Sequence, residues 1–163
     1  MSGSERYASY YLEAYGPALS GIAAFVVLLT AQPYLLPLMA ADKLSISNVF
    51  SAVFGWASIQ TGCVFAIYGF VAGKTDGFIV EIRKTRSMAR YNTFIRRAIW
   101  SGFILTFTSM PLISWKFSLS ADDNLTYAIL SAWFSIFIWA FFAFARVAYI
   151  FGLLVRADEK VGN

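Results

Sequence analysis

Charged residues are missing from four long runs of this chain, Pro17–Met39, Val49–Gly73, Ala98–Trp115 and Leu125–Ala145. A helix rising 1.5 Å per residue needs about 20 apolar residues to cross a hydrocarbon core of about 30 Å, with about 17–25 tolerated. All four runs meet that requirement, so the pattern predicts an all-α, polytopic four-helix transmembrane bundle. The 163 residues then form a single four-span domain. An interfacial segment occupies 1–16, spans occupy 17–39, 49–73, 98–115 and 125–145, a basic loop occupies 74–97, and a helical extension occupies 146–163.

Smaller patterns refine this outline. Tyr7, Tyr11 and Tyr15 recur every four residues, with Tyr10 beside them, and predict a tyrosine face at the membrane–water boundary. Pro17 suits the first turn of span one, and Pro33, Pro37 and Pro111 predict kinks near the outer leaflet. Within 74–97, Phe78, Ile79, Ile82 and Ala89 could line one side of a short amphipathic helix whose other side is basic. Pro37-Leu38-Met39 before Lys43-Leu44-Ser45-Ile46-Ser47 is echoed by Pro111-Leu112-Ile113 before Lys116-Phe117-Ser118-Leu119-Ser120. That echo suggests two related out-and-back hairpins, capped by a two-stranded ribbon of the alternating pentapeptides.

Composition agrees: 59% of residues are hydrophobic and 13% charged, against about 25% charged in a soluble domain. Charge placement adds an orientation. Loop 74–97 holds Lys74, Arg83, Lys84, Arg86, Arg90, Arg96 and Arg97, and with Arg6, Arg146, Arg156 and Lys160 this puts 11 of the 13 basic residues on one side. By the positive-inside rule that side is cytoplasmic and holds both termini, in a membrane expected to be a bacterial inner membrane. No cleavable signal peptide is expected before span one. Arg146, followed by the apolar Val147–Val155, is expected to snorkel near the inner interface.

Catalysis is not expected. There is no histidine, the one cysteine is Cys63, and no carboxylate lies in a span, which removes the usual catalytic bases and metal ligands, so no cofactor is expected. Gly69-Phe70-Val71-Ala72-Gly73-Lys74-Thr75 has three residues where a phosphate-binding loop needs four between its glycines, and it follows a membrane helix. The sequon Asn124-Leu125-Thr126 abuts the membrane and is not expected to be used.

What remains is packing and contact. Gly62, Ala66, Gly69 and Gly73 on span two have the spacing that lets helices approach closely, and Gln32, Gln60 and Thr106 are neutral polar groups suited to helix packing or to lining a pore. Arg83, Lys84, Arg86, Arg90, Arg96, Arg97 and Arg146 are expected to meet anionic lipid headgroups or a cytoplasmic protein, with nucleic acid reached only indirectly. The leading expectation is a non-enzymatic membrane subunit that forms a homo-oligomer or docks a cytoplasmic partner, as a sensor or effector of a bacterial defence system would. A small oligomeric channel and an immunity-type protein against a membrane-active toxin are the alternatives.

Overall fold

A computed structural model describes the backbone over 3–41, 46–114 and 123–161, and side chains within those ranges from Tyr15 to Lys160. Every element is a helix: α1 Gly3–Ala40, α2 Ile46–Gly73, α3 Phe78–Ile82, α4 Arg86–Ser114 and α5 Asn124–Val161. The stretches Tyr15–Ala40, Ile46–Gly73 and Asn124–Lys160 are long and apolar enough to cross a membrane. Helix α4 falls short of that measure, because its first half carries Arg86, Arg90, Arg96 and Arg97. The pentapeptide ribbon falls largely outside the described residues, except that Ile46 and Ser47 belong to α2.

Helices run through several expected boundaries. Pro17, Pro33 and Pro37 lie inside α1 and Pro111 inside α4, so Pro17 is mid-helix rather than in a first turn. Pro33 cannot donate to the Leu29 carbonyl, and one residue away the Tyr127 hydroxyl donates to the Leu28 carbonyl at 2.7 Å, tying α5 to α1 beside Pro33. The expected amphipathic helix is split: α3 has five residues, and Ala89 belongs to α4, which is continuous with the third apolar run. Helix α5 passes through Arg146 without a break.

The hairpins interleave. Helix α1 packs on α5, α2 packs on α4, and α4 also packs on α5, whereas α1 and α2 share no extended interface. An operation carrying α1 to α4 and α2 to α5 exchanges the first two interfaces, as a duplicated pair would require. The α4–α5 contact breaks the symmetry, since α1–α2 offers no counterpart. Two apolar clusters fill the bundle. Phe50, Val53, Ala57, Leu105, Leu130, Trp133 and Ala140 lie toward the end where α2 begins. Val64, Ile67, Val71, Ile79, Met88, Tyr91, Phe94, Ile95, Ala98, Ala143 and Val147 lie toward the basic end.

Gln60 sits between the clusters, 1% exposed, with Nε2 3.5 Å from the Ala98 carbonyl and 3.3 Å from the Ala140 carbonyl. These contacts put Gln60, Ala98 and Ala140 at one height. Toward the basic end from that height, Arg97 and Arg96 stand one and two residues before Ala98 on α4, and Arg146 stands six residues after Ala140 on α5. On α2 the uncharged run continues for another 13 residues to Gly73, about 20 Å at the helical rise. The uncharged runs of α2, α4 and α5 therefore end at different heights toward the basic end.

Close approach of α1 depends on Gly21, where a Cβ would meet the Ser135 carbonyl oxygen and Trp139 Cβ at 3.0 Å. Around Gly55 a Cβ would meet nothing. Gly21→Val is expected to destabilise the detergent-solubilised protein by about 1–3 kcal/mol through overpacking, while Gly55→Val is expected to leave the monomer fold unchanged; denaturant unfolding followed by circular dichroism checks both.

Candidate functional site

Two of the basic residues singled out in the sequence are spent on the fold. Arg83 Nη2 donates to the carbonyls of Val71 at 3.0 Å, Ala72 at 3.3 Å and Lys74 at 2.6 Å, closing the C-terminal end of α2 where helix carbonyls lack partners. Arg146 is half-buried, with its guanidinium carbon 3.8 Å from the centre of the Phe94 ring, a cation–π contact rather than a free surface charge. Lys84, Arg86, Arg90, Arg96 and Arg97 are exposed.

Next to Arg83, a clasp holds α3 on α5. Lys74 Nζ lies 2.8 Å from Asp158 Oδ2, and the Ile79 amide donates to Asp158 Oδ1 at 3.5 Å. Gly77 has φ +80°, and the Asp158 carboxylate occupies the place where a Cβ would stand, so both backbone and space require glycine there. The hydrogen bond from Lys74 holds the Asp158 carboxyl below its ordinary value, and the same bond raises the Lys74 ammonium. The clasp thus contributes above the ordinary carboxylate range, is lost as pH falls through the lowered value, and is also lost as pH rises through the raised lysine value. Tyr91, buried in the same region, donates to the Val147 carbonyl at 3.2 Å.

Between α2 and α4 at this end runs a groove of about 520 Å³ lined by Phe65 and Tyr68 from one helix and by Ala89, Asn92, Thr93, Ile95, Arg96 and Ile99 from the other. A smaller recess of about 190 Å³ shares Tyr68 and Asn92 and extends to Val71, Ala72, Arg83 and Met88. Along the groove Asn92 and Arg96 lie toward the basic end, and Ile99 lies farthest from it. Thr93 donates its hydroxyl to the Ala89 carbonyl at 3.1 Å, so it offers the groove lone pairs rather than a proton.

On the face of α2 turned away from the core lies a smooth stripe. Gly55, Gly62 and Gly69 recur every seven residues, with Ala66 and Gly73 between and beyond them. A Cβ built on any of these four glycines meets nothing within 4 Å. Gly62, Ala66, Gly69 and Gly73 are exposed, as are Phe65, Phe70 and Cys63. The small residues that do pack inside the chain are others: Gly21 on α1, and Gly102 on α4, against which Thr61 is seated. Spacing alone could not separate these cases, because it does not say which face of α2 the partner helices take.

The polar groups proposed as helix glue or pore lining are not gathered on a line. Gln32 donates to the Asn124 carboxamide at the end where α5 begins, Gln60 is enclosed by α2, α4 and α5, and Thr106 donates to its own helix at the Gly102 carbonyl, 2.9 Å away. The sequence reading missed the hydroxyls of Ser101, Ser109 and Ser135, which are buried and donate to carbonyls of their own helices at 3.0, 2.6 and 2.7 Å. Near the start of α5 is an apolar pocket of about 220 Å³ bounded by Leu28, Met39, Phe50, Tyr127, Leu130 and Trp133, among others. No cluster of potential metal ligands occurs among the described residues. No known protein family, curated protein or solved structure matches this chain.

Arg83→Ala is expected to raise amide hydrogen exchange through residues 71–85, because three carbonyls lose a donor, while Lys84→Ala leaves it unchanged. Asp158→Asn is expected to raise exchange over the same loop at neutral pH. In the unsubstituted protein, protection holds across the neutral range and falls only in acid or strong base.

Proposed function

We propose that this chain is a non-enzymatic membrane subunit that spans the bilayer four times, self-associates through the outward face of α2, and presents its basic end to a cytoplasmic partner. The observation that carries the reading is the glycine stripe of α2, which the chain's own fold leaves unused. In lipid, helices gain association energy from close backbone packing, and small residues facing outward allow that with a second copy. Phe65 and Phe70 flank the stripe as ridges for a neighbouring helix to lie between.

Placement in the bilayer follows from the charges on α4. Arginine in the centre of a bilayer costs at least about 2.5 kcal/mol, and Arg96 and Arg97 are adjacent. Keeping both out of hydrocarbon sets the inner boundary near Ala98. The uncharged part of α4 then becomes the fourth span, and the inner half of α2 stands in or beyond the headgroup region. There α2, α3, the first half of α4 and the last part of α5 form a short helical stub with its own core. Lys84, Arg86 and Arg90 are exposed on that stub, where a partner would meet them. The 11 of 13 basic residues at this end support its being the cytoplasmic one.

Cys63, exposed beside the stripe and the chain's one cysteine, reports on self-association without any introduced label. In native membranes a short bismaleimide is expected to link two copies through Cys63. Gly62→Leu and Gly69→Leu are expected to abolish the adduct while the protein still folds and inserts. Absence of the adduct together with a monomeric mass in native mass spectrometry, or an adduct indifferent to both substitutions, overturns self-association through this face.

A further inference from the structure

We infer that the groove between α2 and α4 is a binding site for one anionic phospholipid of the leaflet at the basic end. Arg96 and Asn92 hold the phosphate, and an acyl chain runs outward past Ile99. The groove has the order of parts that such a lipid has. Arg96 lies two residues to the basic side of Ala98 and Ile99 one residue to the other side, so cation and apolar wall fall on either side of the boundary assigned to the hydrocarbon. A cavity of about 150 Å³ holds a benzene ring, and the groove's 520 Å³ gives room for a glycerophosphate and the first methylenes of a chain.

Donor chemistry selects an anion. Arg96 supplies a planar fork of N–H groups suited to two phosphate oxygens, and Asn92 supplies carboxamide donors one turn away on the same helix. The Tyr68 hydroxyl, on the facing helix, can donate to a third oxygen. No acidic side chain lines the groove, so nothing there opposes a phosphate. Arg83 bounds the adjoining recess, with its Nη2 committed to the end of α2. Arg97, next in sequence and also exposed, does not line the groove. A diffuse attraction of headgroups to surface charge would treat Arg96 and Arg97 alike, whereas a built site distinguishes them.

The inference rests on the bilayer placement proposed above but not on self-association, and its test uses detergent-solubilised full chain, which needs neither. Native mass spectrometry with phosphatidylglycerol and phosphatidylcholine of matched chains is expected to show one preferred phosphatidylglycerol per chain. Arg96→Gln is expected to weaken that binding about fivefold, the scale of one basic contact, and Arg97→Gln to leave it unchanged. Ile99→Ala is expected to weaken both lipids, through the acyl chain. Equal effects of Arg96→Gln and Arg97→Gln, or no preference between the headgroups, overturns the site. Competition by sn-glycerol 3-phosphate at the affinity of the lipid overturns the lipid assignment and leaves a site for a soluble phosphate ester.

Discussion

One buried side chain sets the register on which the rest of this bundle depends. Gln60 reaches carbonyls on two other helices, and its Oε1 is buried with no hydrogen-bond partner among the described residues. Each such interhelical contact is worth about 0.6 kcal/mol on average, so the energy is small, but moving α4 or α5 along its axis breaks one of the two contacts and moving α2 breaks both. Other contacts repeat the same register: Phe50 with Trp133 at 4.9 Å, Phe70 with Phe151 at 5.4 Å, and Lys74 with Asp158. Height along the bundle is thereby fixed for every charge.

With the heights fixed, the arginines of α4 and the apolar inner half of α2 must coexist side by side. A flat slab that covers α2 to Gly73 also submerges Arg96 and Arg97. A slab that stops at Ala98 leaves apolar α2 surface beyond the hydrocarbon. The second arrangement costs less, because Phe65, Tyr68 and Phe70 can be covered by lipid interface or by protein, whereas a guanidinium in hydrocarbon has no remedy but to snorkel.

Much of this was legible in the residues. The uncharged runs located all four long helices, since a span needs nothing but length and apolarity, and the basic loop marked one end. The face assignments were not legible. Gly21 and Gly62 are both small residues in apolar helices, yet one is pressed against Trp139 and the other is open. Only the neighbour decides, and α1 choosing α5 over α2 is not encoded in either helix alone. Arg83 and Arg146 likewise resembled surface charges because a linear reading cannot see the ends of α2 or the ring of Phe94. The relative heights of the runs were hidden for the same reason: connections of unknown geometry separate them.

The central claim, that the inner edge of the hydrocarbon lies near Ala98 and leaves the inner half of α2 outside it, is a claim about depth. Spin labels at Ala52, Ala66 and Ala72, placed in a Cys63→Ser background and read by collision with oxygen and with a water-soluble nickel chelate, measure it along one helix. Oxygen-dominated collisions are expected at Ala52, a crossover near Ala66, and chelate-dominated collisions at Ala72. Oxygen-dominated collisions at all three positions would contradict it and place the hydrocarbon along α2 as far as Gly73.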